Sequence, residues 1–248
     1  MSNLKACIFD LDGVIVDTAK YHYLAWKVIA QKLNFDFTEI DNERLKGVSR
    51  MESLDILLSI GNINLSQSEK EIIAEQKNNL YIDYINNMKP DEILPGAKEF
   101  IELVRSFGIL TALGSASKNT GIILEKLNLA PLFDAIIDGN CVLNTKPNPE
   151  VFLKAAERLK VSPTDCVVFE DAAAGVIAAK AAGMKCVGIG LPEILKGVDL
   201  IVSGLDKMAM NELLNLQMDF YFDFNPTEVE LGRFSINPEN VENIPLGI

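Results

Sequence analysis

Histidine is almost absent from the sequence, with one in 248 residues, which excludes a His-based metal cluster. The four cysteines (Cys7, Cys141, Cys166 and Cys186) are scattered, with neither CxxC nor zinc-ligand spacing. They are expected as small apolar core residues in a reduced setting. Positive charge is also scarce. Twenty-three Lys and Arg face 35 Asp and Glu, and the net charge of −12 has the wrong sign for nonspecific binding to nucleic acid or an anionic membrane. No apolar run approaches the ~20 residues of a membrane-spanning helix. Asp10 interrupts the stretch that a secretory signal would need, so a cytoplasmic location is expected. No internal repeat is visible.

Apolar residues make up 48% of the chain, enough for a sizeable core and incompatible with global disorder. The length suits one large domain, or a core domain carrying a smaller insertion. Residues 6–9 read as a short apolar strand ending at Asp10. From 21 to 88 the apolar positions follow a helical period, as in Ala25, Val28, Ile29 and Leu33, and again in Tyr81, Tyr84, Ile85 and Met88. Beyond Pro90, strand-like runs at 109–113, 135–137, 166–169, 186–189 and 200–202 alternate with helical segments at 96–107, 120–127, 150–159 and 173–182. This alternation predicts an α/β fold, a Rossmann-like parallel sheet core with an inserted helical cap domain. The expected boundaries are a split core at 1–17 and 92–220, a cap at 18–91, and a flexible tail at 221–248 rich in acids and prolines.

Parallel α/β sheets bind ligands beyond the carboxyl ends of their strands. Those ends carry Asp10 and Asp12, then Ser115 and Ser117, then Glu170 and Asp171, while Lys146 sits in a Lys-Pro-Asn-Pro loop ahead of a helix. Hard carboxylate oxygens suit magnesium. A lysine and hydroxyls beside such an ion match the dispersed negative charge of a transferring phosphoryl group. Two aspartates two residues apart allow one to attack phosphorus while the other handles the proton of the departing or attacking oxygen. Each residue also has an ordinary reading. Asp-Gly marks turns, Glu170-Asp171 suits a helix start, Lys77 lies on a polar helix face as a solvated charge, and Trp26 borders an apolar stripe where it would pack. Coincidence at three strand ends favours a site.

The run Phe9-Asp10-Leu11-Asp12-Gly13-Val14 resembles the first signature of the haloacid dehalogenase superfamily. Ser115, Lys146 and Glu170-Asp171 resemble its second, third and fourth motifs, in the right order. Within it the chain is most similar to the β-phosphoglucomutases, through DGVIVDTAKYHYLAWK at 12–27, LKGVSR at 45–50 and GSASKN at 114–119. The resemblance implies a magnesium-dependent phosphomutase that interconverts β-D-glucose 1-phosphate and D-glucose 6-phosphate, with β-glucose 1,6-bisphosphate as intermediate and primer. Asp10 would be the nucleophile that becomes an aspartyl phosphate, and Asp12 the general acid/base. The ion would be held by Asp10, the backbone carbonyl of Asp12, and Asp171, with Glu170 in the same shell. Ser115, the Ala116 amide and Lys146 would surround the transferring phosphate. Arg50, Ser117, Lys118 and Asn119 would hold the phosphate that does not react.

Trp26, Lys46, Gly47, Val48, Ser49 and Lys77 match positions near the substrate, and Thr18 and His22 match a pair that positions the acid/base as the cap closes. A small sugar phosphate is the implied partner, and a monomer the expected state. The alternative is a magnesium-dependent sugar-phosphate phosphatase on the same scaffold, which needs only one phosphate clamp. A dehalogenase would not require the ion, and a non-catalytic sugar-phosphate sensor would not require Asp10. Ala172 departs from the serine that related sequences often carry there, and the residues after 220 lie outside the resemblance.

Overall fold

The computed structural model describes residues 4–45 and 48–217. Its strands are β1 (Ala6–Phe9), β2 (Leu110–Gly114), β3 (Ala135–Ile137), β4 (Cys166–Glu170), β5 (Lys185–Ile189) and β6 (Leu200–Val202). Its helices are α1 (Ala19–Lys32), α2 (Glu39–Glu43), α3 (Arg50–Ile60), α4 (Gln67–Ile85), α5 (Ala97–Ser106), α6 (Thr120–Lys126), α7 (Glu150–Leu159), α8 (Ala173–Ala181) and α9 (Met210–Asn215). The strands form one sheet in the order β3-β2-β1-β4-β5-β6, with every neighbouring pair parallel. The chain thus builds outward from β1 to one side, then returns to build the other. Sheets of this kind leave a ligand crevice where the order reverses. In register, Phe9 lies beside Leu113 on one side and Phe169 on the other. The next residues, Asp10, Gly114 and Glu170, therefore share one edge.

Side chains of a strand alternate between its two faces. Cys7 and Phe9 of β1 join one core with Phe100, Ile101 and Val104 of α5, while Ala6 and Ile8 join another with Phe152 and Ala155 of α7 and Val176 and Ala179 of α8. Phe9 stacks on Phe169 with ring centres 4.6 Å apart, and Phe100 meets Phe169 edge-on at 5.6 Å. This aromatic cluster lies directly beneath Asp10 and Glu170 in sequence, so the strand ends bearing the acids are anchored.

Helices α1 to α4 are inserted between β1 and α5, and they carry a third core of Trp26, Ile29, Phe37, Leu54, Leu57 and Leu58. Tyr81, Ile85 and Met88 continue it onto the core on the Phe9 side of the sheet. Local signals start these helices. Thr38 with Asp41, and Ser66 with Glu69, form capping boxes for α2 and α4. The Ser49 hydroxyl accepts from the Glu52 amide and opens α3 immediately before Arg50.

Several expectations shift. The strand expected at 109–113 begins at Leu110, and α2 and α9, of five and six residues, are too short to show a helical period. Cys141 corrects the expectation of four core cysteines: it is exposed in the loop between β3 and α7, where no element covers it, whereas Cys7, Cys166 and Cys186 are buried. Lys46, Gly47 and the tail expected at 221–248 lie outside the described residues. Among the described residues no helix is long and apolar enough to cross a membrane.

The separate core of the inserted helices has a measurable consequence. Leu57 is fully buried there, and Leu57→Ala is expected to destabilise that layer by ~2–5 kcal/mol. Amide exchange should accelerate in α3 and α4 while β1 and β4 keep their protection.

Candidate active site

Asp10 follows β1 directly, its N–H donating to the Phe169 carbonyl at 3.0 Å. The Lys146 ammonium, 5% exposed, donates to Asp10 Oδ1 at 2.6 Å and also to Glu170 Oε1. Carboxylate oxygens of Asp10, Glu170 and Asp171 lie within 4.8 Å of one another. One ammonium cannot balance three carboxylates, and an oxygen-only set with surplus negative charge fits magnesium. Burial, and then Asp10 and Glu170, push Asp171 up to about 8. Glu170 is also raised, by burial, with Lys146 opposing. Burial works against the charge on Lys146, but Asp10 and Glu170 outweigh it and hold the lysine above its ordinary value.

Two glycines make room for these acids. Gly13 adopts φ +77°, and a Cβ there would sit 1.9 Å from Asp171 Oδ2. A Cβ on Gly175 would sit 1.8 Å from Glu170 Oε1. The other oxygen of Glu170 accepts from the Ala172 amide at 3.0 Å, so this carboxylate serves the start of α8 as well as Lys146.

Asp12 is reached from the other direction. Gly13 N–H donates to the Val16 carbonyl at 2.8 Å, closing a turn that delivers Thr18. Thr18 stands at the N-cap of α1 but makes no capping bond; its hydroxyl donates to Asp12 Oδ1 instead. Burial, and then the Asp10 charge, push Asp12 up to about 7, with the Thr18 hydrogen bond pulling the other way. A carboxyl near neutrality is suited to acid/base work.

The inserted helices supply a second group. Lys77 is not the solvated charge its polar neighbours suggest: it is 3% exposed. Its ammonium donates to His22 Nδ1 at 2.7 Å and lies 5.0 Å over the Trp26 ring and 4.8 Å over the Tyr81 ring. Burial, and then Arg50, pull Lys77 down to about 7. Burial, and then Lys77 and Arg50, hold His22 well below its ordinary value, leaving a neutral ring whose Nδ1 accepts. Trp26 is buried in the inserted helices' own core and meets the site through Lys77. Arg50 and Val48 are half-buried, and Ser49 is held by its cap.

In the loop after β2, Ser115 N–H donates to the Ile137 carbonyl at 2.9 Å. The Ser115 hydroxyl accepts from Ser117 N–H at 3.1 Å, and the Ser117 hydroxyl from Asn119 N–H at 3.2 Å. Ala116, Ser117 and Asn119 are half-buried and Lys118 is exposed. Two residues that sequence reasoning passed over belong here. Asn78 of α4 accepts from Asn119 Nδ2 at 2.8 Å. The buried Tyr81 hydroxyl faces Thr18 and Ser117, yet makes no hydrogen bond of normal geometry among the described residues. The available signal was their placement one residue and one turn beyond Lys77 on the same helix.

Residues 4–183 match the family model of the haloacid dehalogenase-like hydrolases, and the chain belongs to that family. It is a close homologue of β-phosphoglucomutase: the Bacillus subtilis (strain 168) protein of that name is 41% identical over 220 residues, which span 88% of this chain and 97% of that protein. The crystal structure of β-phosphoglucomutase from Clostridium difficile matches with a TM-score of 0.82 and 42% identity, over 86% of this chain and 97% of that one. A phosphorylated carbohydrates phosphatase of Thermotoga maritima is 32% identical over 217 residues, 86% of this chain and 98% of that protein.

Two outcomes test the electrostatics and packing. Lys77 titrates at about 7 in the fold against 10.5 ordinarily, so the unfolded chain binds more protons between those values. The penalty for charging it is absent above 10.5 and complete below about 7, and stability therefore rises with pH across that window. Denaturation midpoints should show this rise in the wild type relative to Lys77→Met. Gly175→Ala in a helix would ordinarily stabilise by ~1 kcal/mol. Here the added methyl must displace Glu170 from Lys146, so a lower melting temperature and weaker magnesium binding are expected.

Proposed function

We propose that the chain is a magnesium-dependent phosphomutase that interconverts β-D-glucose 1-phosphate and D-glucose 6-phosphate through β-glucose 1,6-bisphosphate, which also primes it. The observation that carries its phosphoryl-transfer chemistry is the buried Lys146 bridging Asp10 and Glu170 beside Asp171. The homology to β-phosphoglucomutase supports it at the level of the whole chain. In this reading residues 1–17 and 92–220 are a split core, and 18–91 a cap that shuts over it. The protein would act as a monomer in the cytoplasm, where its sugar phosphates are found.

Asp10 carries the phosphoryl group. In one half-reaction a sugar hydroxyl oxygen bonds to phosphorus, the bond to the Asp10 oxygen breaks, and the hydroxyl proton passes to Asp12. In the other, Asp10 attacks the phosphate on the second sugar position, and Asp12 returns the proton to the oxygen released. Ser115, the Ala116 amide and Lys146 hold the phosphoryl oxygens between these positions. Magnesium, held by Asp10, the Asp12 carbonyl and Asp171 with Glu170 adjacent, supplies charge neutralisation for the transferring group when bound. Arg50, with Ser117, Lys118 and Asn119, grips the phosphate that stays, and the planar guanidinium offers two-point contact. Val48, Ser49 and Lys77 would face the substrate, with Trp26 acting from behind Lys77. Thr18 would steer Asp12 through its hydroxyl, and His22 would hold Lys77, whose charge favours the ionised Asp12. With the cap shut, water is kept from the aspartyl phosphate.

The test is a panel of sugar phosphates with a trace of 1,6-bisphosphate, assayed with and without magnesium. The β-anomer of glucose 1-phosphate is expected to yield glucose 6-phosphate only with the metal, and Asp10→Asn to abolish this. Predominant release of inorganic phosphate would instead favour the phosphatase reading, to which the Thermotoga maritima relative's name points.

A further inference from the structure

Asn119 stands at the N-cap of α6, where an asparagine side chain ordinarily folds back onto the first helical amides. It makes no capping bond. Its Nδ2 instead reaches α4 and donates to Asn78 Oδ1 at 2.8 Å, across 41 positions of chain. The loop is secured without it: Ser117 Oγ accepts from the Asn119 amide at 3.2 Å, and Thr120 Oγ1 donates to the Ser117 carbonyl at 2.9 Å. The Asn119 side chain is thus free to join two layers of the protein.

We propose that Asn78 is a positioning residue that couples docking of the inserted helices to capture of the substrate's non-reacting phosphate, acting through Asn119. The identity of that phosphate rests on the phosphomutase reading. An amide nitrogen carries two N–H groups. Asn78 takes one and fixes the plane of the Asn119 amide, which leaves the second N–H oriented for an anion. Asn78 directly follows Lys77, whose ammonium is bound to His22, and Tyr81, three residues on, faces Thr18 and Ser117. One turn of α4 therefore touches both the side of the site that carries Asp12 and the loop that grips phosphate. The amide pair forms only with α4 against the loop, so closing the layers and holding the anion reinforce each other.

A kinetic double-mutant cycle on the full chain decides this, with Asn78→Ala, Asn119→Ala and the double variant, magnesium, β-glucose 1-phosphate and a trace of bisphosphate. Asn78→Ala is expected to raise KM ~5–10-fold with kcat nearly unchanged, the signature of lost binding energy. The melting temperature should stay within a degree or two, on the order of a surface substitution. The double variant should lose no more than Asn119→Ala alone, because one residue acts through the other. Additive losses, or wild-type KM in Asn78→Ala, would overturn the proposal. If the wild type releases phosphate without forming glucose 6-phosphate, the phosphomutase reading fails on its own. The same cycle on the KM for phosphate release from glucose 1,6-bisphosphate, which keeps a second phosphate, then still decides whether Asn78 acts through Asn119.

Discussion

Everything at the head of the sheet depends on one buried ammonium. Lys146 lies between Asp10 and Glu170, almost without solvent, with Asp171 close by. Buried carboxylates without a counter-charge are destabilising by several kcal/mol each on the order-of-magnitude scale of desolvation. The lysine offsets part of this and leaves a residue of negative charge, which a divalent cation can complete. The fold tolerates this arrangement because the acids end strands anchored by the Phe9–Phe169 stack, and because Gly13 and Gly175 leave space that any side chain would fill.

The inserted helices answer this negative group with a positive one. Burial, and then Arg50, disfavour the charge on Lys77, and burial, Lys77 and Arg50 that on His22, so the ring stays neutral and Lys77 is poised near 7. Asp12, raised to about 7, lies where the two electrostatic environments meet. A substrate carrying phosphates would relieve strain on the cationic side and receive a proton donor or acceptor from the other. Only with a divalent cation completing the acid cluster would both layers attract phosphate, as a ligand with negative charge at both ends requires.

This distinction separates readings that share a scaffold. In the proposed reading, a phosphatase and a mutase would need the same Asp10, Asp12, Lys146 and acid pair. What differs in that reading is the grip on a second phosphate and the exclusion of water, which would fall to Arg50, the Ser117–Asn119 loop and the way the helices lie against it. Direct bonding between Asn119 and Asn78 links those two requirements in a single contact.

The alternation of strands and helices was legible in the order of residues, because period 2 and period 3.6 are local properties of a chain burying one face. The acids at strand ends were legible too, since the parallel sheet puts successive carboxyl ends on one edge. Short helices such as α2 and α9 escaped, having too few residues to express a period. Cys141 was misread because composition speaks for cysteine on average and not for the loop that leaves this one uncovered. The burial of Lys77, the diversion of Thr18 and Asn119 from capping to longer contacts, and the part of Asn78 and Tyr81 were decided by the tertiary structure alone. Each depends on a partner 6 to 63 positions away, from Thr18 with Asp12 to Tyr81 with Thr18, and on how helices pack, which no local pattern encodes.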